Sequence, residues 1–338
     1  MPALGQAMCQ WDCGWYISIV EHGYDATARF VADCCWQANW AFFPLLPLLV
    51  AGLQAVIGGS PAALGVAVST ACLFAFVVLG SQLRRHTRQE ASPWGWIAFV
   101  LCWPFGFYFH ALYTEALFAA LATAALLALV RGWPWLAAAA TGALCATRPT
   151  GVLLAAWVGL RQLGLIWRGQ TLRQRLVALG PALLAPLGLF AFMAFLQLKL
   201  GDALAFQHIQ AGWGRTGSNP LRVLMAPFGA LLRGQPVPED LYFAAWALLG
   251  GAATLWLCRR RYFAEAWLCG MPVLLALCSG QLISMPRFVS TNPAFLLAAA
   301  DCFLLLRSPL LRGVLLLGMV LLQAWLVLAW QQSPRFLM

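Results

Sequence analysis

The chain has 338 residues, of which 62% are hydrophobic and only 9% charged, whereas soluble domains carry about 25% charged residues. This composition excludes a soluble globular protein and predicts an integral membrane protein. The formal net charge of +10 acts as a topology signal and requires no nucleic-acid partner.

Residues 1–61 form the first predicted region. Met1 to Gln10 are too few and too mixed to cross a bilayer. They are followed by Trp11-Asp12-Cys13-Gly14-Trp15-Tyr16, then Glu21-His22-Gly23-Tyr24, then Asn39-Trp40-Ala41-Phe42-Phe43-Pro44. With no span ahead of the Trp-Asp pair, two expectations arise. Either this start is internal to a longer gene product, which we favour, or the loop is translocated without a leading helix. A carboxylate set among aromatic rings can be partly desolvated and so tuned as a base, and the rings offer faces on which a sugar can stack. The segment 44–59, with Pro44, Pro47 and the Gly58-Gly59 stop, is either a full span or a helix at the interface.

A bilayer core of about 30 Å demands about 20 apolar residues of a helix. Spans are predicted near 62–83, 94–111, 113–130, 134–147, 150–167, 177–198, 242–258, 264–284, 288–306 and 310–330. Arginines gather at 84–88, 131, 168–175, 259–261 and 307–312, and cytoplasmic loops collect such residues. Ten spans put all these clusters on the inner side, which then holds the whole net charge while the outer loops balance. On that alignment residues 1–39 face outward and 44–59 does not cross. A second large outward loop covers 199–240. The expected fold is an all-α membrane bundle of about 10–11 hydrophobic helices forming a single polytopic domain over 1–338, with short interfacial helices in its outward first loop.

Most of the 11 cysteines lie singly inside predicted spans and behave there as small apolar residues. Cys9, Cys13, Cys34 and Cys35 fall on the outer side, where they can pair in an oxidising compartment. Zinc binding by them is the less favoured reading, because adjacent Cys34-Cys35 lacks the usual ligand spacing and no histidine is suitably placed. Lys199 is the single lysine among 21 basic residues, a bias that fits a GC-rich bacterial gene. The chain shows no internal repeat, phosphate loop, Ser/His/Asp order or metal signature. His22 and His110 each have a structural and a functional reading.

Several of these segments carry a resemblance. Trp11-Asp12-x-x-Trp15-Tyr16, Glu21-His22-Gly23-Tyr24 and Ala41-Phe42-Phe43-Pro44 resemble the second mannosyltransferase of GPI-anchor synthesis and, more closely, its bacterial relatives. Tyr113-Thr114-Glu115-Ala116-Leu117-Phe118, Thr147-Arg148-Pro149-Thr150-Gly151, the run from Gly201-Asp202 to Trp213-Gly214-Arg215, and Ser284-Met285-Pro286-Arg287-Phe288 follow in the same order. Two features depart from the pattern: the family has a helix before Trp-Asp, and eukaryotic members often have His-Phe where this chain has Trp15-Tyr16.

The resemblance implies a GT-C glycosyltransferase with a lipid-phosphate-linked sugar, polyprenyl-phosphate mannose, as donor. It makes Asp12 catalytic and leaves the acceptor, a glycolipid, glycan or protein, unassigned. No cofactor is implied, and metal dependence stays open. One carboxylate suffices for this chemistry, because the departing polyprenyl phosphate is already a stable anion and needs no second acid. Arg148, Arg215 and Arg287, in predicted outer turns, are candidates for the donor phosphate through bidentate hydrogen bonds. Their alternative role is snorkelling to lipid headgroups. Trp11, Trp15, Tyr16, His22, His110, Glu115 and Asp202 are candidate substrate contacts. For Glu115 the alternative is stabilisation of a helix N-terminus, and for Asp202 a turn.

The expected location is the bacterial cell membrane with active-site loops on its outer face, or the endoplasmic reticulum membrane in a eukaryote. A transporter or flippase of lipid-linked sugar is the alternative function, followed by a non-catalytic assembly subunit. A transporter places its polar residues near the bilayer midplane, whereas here they gather in loops.

Overall fold

The computed structural model describes residues 2–31, 35–90, 92–169, 171–332 and 334–337; Cys34 lies outside the described residues. Among these residues it holds 17 α-helices and one antiparallel hairpin. The backbone divides into two compact units. One comprises Met1–Ala26, Asn39–Ile97 and Phe109–Phe206; the other comprises Thr27–Ala38, Ala98–Tyr108 and Gln207–Met338.

The first unit contains α1 (Pro2–Ala7), α2 (Cys13–His22), α3 (Leu45–Ile57), α4 (Pro61–Thr87), the start of α5 (Trp94–Leu101), α6 (Glu115–Val130), α7 (Pro134–Cys145), α8 (Gly151–Arg168), α9 (Leu172–Leu184) and α10 (Leu187–Leu200). Its centre is α6, buried along nearly its whole length from Glu115 to Leu129. Seven alanines in this helix and five in α7 keep side chains small, which lets neighbouring backbones approach closely. The closest approach is between α10 and α7: a Cβ added at Gly188 would lie 2.0 Å from the Gly142 carbonyl oxygen. On the other side of α6, α4 receives the Trp96 ring over Gly80, and the indole Nε1 donates to the Val77 carbonyl at 3.0 Å.

The second unit contains the hairpin β1 (Arg29–Val31) and β2 (Cys35–Gln37), α11 (Ala205–His208, which begins in the first unit), α12 (Pro220–Leu232), α13 (Pro238–Arg259), α14 (Phe263–Ser279), α15 (Met285–Ser290), α16 (Pro293–Leu304) and α17 (Pro309–Trp330). Here α13 packs against α14, α15 and α16. Asn292 ties two of these together, its Nδ2 donating to the Leu268 carbonyl at 2.9 Å while its Oδ1 accepts the Ala294 amide at 2.9 Å. Gln37 Nε2 anchors β2 by donating to the Gly212 carbonyl at 3.0 Å.

A repeated local device starts the helices. Ser60-Pro61, Asn219-Pro220, Asn292-Pro293 and Ser308-Pro309 each place a capping side chain before a first-turn proline. The side-chain oxygen accepts an otherwise orphaned amide, and proline has none to lose.

Three helices are long and apolar enough to cross a bilayer: Pro61–Thr87, Pro238–Arg259 and Pro309–Trp330. They mark the chain as a membrane protein. The bent pair α9 and α10, broken by 53° at Ala185-Pro186, makes a fourth if taken as one span. Pro186 supplies the cause, since it lacks an amide for the helix ladder and its ring crowds the preceding turn. Of the other expected spans, 150–167 forms the 18-residue α8, which carries Arg161 and Arg168 and is not among the helices apolar enough to cross, and the rest form shorter helices. The 94–111 segment yields only the eight residues of α5 before Pro104 and the Gly106–Phe109 turn. The 16 residues of α6 measure about 24 Å, and α6 stops at Gly132, whose φ is +72°. The 13 residues of α3 reach about 20 Å, short of the bilayer core. The fold is helical as expected, with one short two-stranded antiparallel sheet added to it.

Candidate active site

The Trp-Asp segment folds as a tight turn that launches α2. Asp12 stands immediately before the helix, and its carbonyl accepts the amides of Trp15 at 3.1 Å and Tyr16 at 3.3 Å. A disulfide joins Cys9 to Cys13 across this turn. Among the four outer cysteines whose pairing the sequence leaves open, these two are bonded to each other, and Cys35 is disulfide-bonded as well.

One turn into α2, Tyr16 points into the unit and is buried. Its ring meets Phe42 edge-on at 5.3 Å, and Trp15 stacks on the same ring at 5.9 Å. The Glu-His-Gly-Tyr and Asn-Trp-Ala-Phe-Phe segments close around this group. Tyr24 donates its hydroxyl to the Phe42 carbonyl at 2.8 Å. The buried Asn39 accepts the Asp25 amide at 2.9 Å and donates to the Gly23 carbonyl at 3.0 Å. Lys199 donates to the Tyr24 carbonyl.

Opposite Tyr16 lies the start of α6. Glu115 is its first residue, with a fully buried side chain that forms an ion pair with Arg148 from the turn before α8. The Arg148 Nε donates to Thr114 Oγ1 at 2.5 Å, and its guanidinium lies 5.8 Å from the Phe118 ring centre. Phe118 follows Glu115 by three positions, so both project from one face of the helix.

These groups act on a single phenol. Burial pushes the Tyr16 hydroxyl well above its ordinary range; Arg148 opposes this, Asp12 and Glu115 add to it, and a hydrogen bond with Thr114 opposes it. The phenol therefore stays protonated at working pH and serves as a hydrogen-bond donor rather than a base. Asp12 is the carboxylate at the half-buried edge of the cluster, and Glu115 is held in the interior by its ion pair.

The structure thus brings together Asp12, Tyr16, Glu115 and Arg148, with Trp15 joined through Phe42. Trp11 lies inside the disulfide-closed turn, half-buried. His22 is exposed in the last turn of α2. His110 shares a hydrogen bond of 3.0 Å with Thr70 on α4. Asp202 accepts the Leu204 amide at 2.9 Å just after Gly201, the left-handed cap of α10, the geometry of the turn considered for it. In the second unit, Arg215 and Arg287 approach one ring, their guanidinium carbons 6.0 and 5.6 Å from the centre of Phe288. Arg287 is buried, and Gln210 Oε1 accepts from Arg215 at 2.6 Å.

Sequence reasoning missed Thr114 as the bridge between Arg148 and Tyr16. The signal was its place inside Tyr113-Thr114-Glu115, where only the charged residue drew notice. Among the described residues, no group of three or more His, Cys, Asp or Glu side chains comes together to hold a metal ion. Compared with protein-family models and with curated proteins, the chain has no match.

Proposed function

We propose that this protein is a membrane glycosyltransferase that moves a sugar, mannose by the resemblance of its segments, from a polyprenyl-phosphate donor to an acceptor hydroxyl. The observation that carries the reading is the cluster at the head of α2. A half-buried carboxylate stands beside a neutral phenol and a buried Glu115–Arg148 pair inside a largely apolar helical unit. Polar groups are costly to place there, and a site for sugar hydroxyls gives them a purpose.

In this mechanism Asp12 takes the proton of the acceptor hydroxyl as its oxygen attacks the anomeric carbon. The bond from that carbon to the phosphate oxygen breaks, and its electron pair leaves with the polyprenyl phosphate. Attack opposite the leaving group inverts the anomeric configuration. Tyr16 donates to a sugar or acceptor oxygen, and Trp11 and Trp15 supply stacking faces. Glu115 and Arg148 hold Tyr16 and Thr114 in place. The resemblance, rather than their placement, assigns Arg215 and Arg287 to the donor phosphate, for which a guanidinium offers a planar fork. The Cys9–Cys13 bond supports placing this loop in an oxidising compartment outside the cytoplasm.

The test is to incubate membranes containing the protein with radiolabelled polyprenyl-phosphate mannose and follow the label into lipid and protein fractions. Label transferred by the wild type and lost with Asp12→Asn supports the reading. Intact donor moved across the membrane without transfer supports a transporter instead, a reading favoured by the broken helix pair α9 and α10, because discontinuous helices line transporter sites.

A further inference from the structure

The turn that carries Asp12 is built unusually tightly. Only Gln10, Trp11 and Asp12 lie between the two cysteines of the disulfide, whose Cα atoms are 5.2 Å apart. Trp11 takes a φ of +41°, a left-handed conformation that a bulky residue rarely adopts and that costs on the order of 1–3 kcal/mol. Such a backbone persists only where its surroundings impose it. Three restraints converge here: the disulfide, the Cys13 amide donating to the Gln10 carbonyl at 3.1 Å, and the Tyr113 hydroxyl donating to that same carbonyl at 2.8 Å. Cys13 is fully buried, so this end of the bond is fixed to the unit. The covalent link is the one restraint of the three that a change of redox conditions removes.

We infer that the Cys9–Cys13 disulfide is a positioning device for Asp12, holding the carboxylate at the Tyr16 cluster, and that reducing it disables turnover while leaving donor binding intact. The inference rests on the glycosyltransferase reading for its turnover arm only. In the reduction step two electrons pass from a dithiol such as dithiothreitol to the S–S bond. Cys9 and Cys13 become thiols and the reagent closes to its own cyclic disulfide. Free of the link, Trp11 relaxes toward negative φ, and Asp12, its neighbour, moves with it.

The experiment uses the full chain in detergent or nanodiscs, before and after dithiothreitol. Denaturing, non-reducing alkylation with peptide mapping first reports whether Cys9 and Cys13 are bonded. Hydrogen exchange is then followed over residues 10–16, with α6 and α7 as internal controls, alongside transfer kinetics from polyprenyl-phosphate mannose. The expected result on reduction is faster exchange confined to residues 10–16, kcat lowered about tenfold or more, and donor KM unchanged, the pattern of a group needed only for the chemical step. Cys9→Ser keeps the buried Cys13 in place, so it reproduces the opened turn without disturbing the core; Cys35 is disulfide-bonded as well, so the criterion is that exchange over residues 10–16 in this variant no longer responds to dithiothreitol. Free Cys9 and Cys13 in untreated protein would overturn the inference, as would unchanged exchange over residues 10–16 or full turnover after complete reduction. If the oxidised wild type transfers no sugar at all, the glycosyltransferase reading fails, and the exchange measurement alone decides the role of the disulfide.

Discussion

Arg148 closes an ion pair with Glu115 across 33 positions of sequence, joining the turn before α8 to the first residue of α6. The carboxylate is fully buried and the guanidinium about four-fifths buried. A pair in that setting costs heavily when only one member is removed, because the survivor is left charged in a poorly solvated place. Glu115→Gln and Arg148→Gln should each lower stability by about 3–5 kcal/mol, while the double variant should lose less than the sum of the two. Thermal unfolding of the four proteins in detergent measures this cycle. Additive losses would mean that the two side chains do not interact.

On the proposed reading, the same pair gives Arg148 a positioning role. Bound to Glu115 and Thr114, it serves the cluster from within, so Arg148→Lys should keep part of the ion pair but lose the Nε bond to Thr114. Its defect should appear in stability and kcat together rather than in donor KM alone.

Asp12→Asn keeps the shape of the side chain and removes the base. Transfer should fall at least about a hundredfold with the protein still folded and able to bind donor. Near-normal turnover in this variant would take Asp12 out of the mechanism.

Tyr16 gives a pH test with a definite sign. Its phenol ionises above its ordinary value in the folded protein, mainly through burial, while the unfolded chain ionises near pH 10. The neutral-phenol contribution is fully present below the unfolded value. As pH rises above about 10 the unfolded state gives up this proton and the native state does not, so stability falls with increasing pH. Tyr16→Phe should show a shallower loss of melting temperature above about pH 10 than the wild type. Parallel curves would show that the phenol is not shielded as the structure has it.

Much of this was legible in the sequence, and the remainder was hidden for physical reasons. The carboxylate-aromatic segment stood out because Asp12 sits among rings in a chain poor in charge. The Glu115–Arg148 pair did not, because ion pairing between distant positions leaves no periodic trace. Span lengths were over-read in the middle of the chain. Runs such as 94–111 are apolar throughout, and hydropathy does not register that Pro104 and Gly106 end the helix after eight residues. Cys9 and Cys13 were visible as candidates, yet four cysteines allow several pairings, and only the backbone turn at Trp11 brings these two within bonding distance.

The arginine clusters make an orientation test possible. With the arginine clusters inside, a cysteine placed by Arg88→Cys should be reached by an impermeant maleimide only from the cytoplasmic side. One placed by Ser218→Cys should be reached from the outside. The background should lack the exposed native Cys258 and Cys302. Labelling at position 88 from outside would invert the topology and bring the Asp12 turn to the cytoplasm, where nucleotide sugars become the natural donors to test.

Arg287 and Arg215 provide the last prediction. Both guanidinium groups lie near the Phe288 ring, and an arginine near an aromatic face gains about 0.5–1 kcal/mol at an exposed site and more when desolvated, so the ring helps to fix their planes. Arg287→Lys keeps the charge but loses the planar fork and should weaken donor use, and Arg287→Ala should weaken it further. A contact equally strong before and during reaction raises donor KM, whereas one that strengthens as charge develops on the departing phosphate lowers kcat. Phe288→Leu should produce a smaller change of the same kind, because it leaves both charges in place and removes only the surface that orients them. If Arg215 and Arg287 can both be replaced by Gln with donor kinetics and protein level unchanged, they serve lipid headgroups rather than the donor, and the phosphate must be held elsewhere.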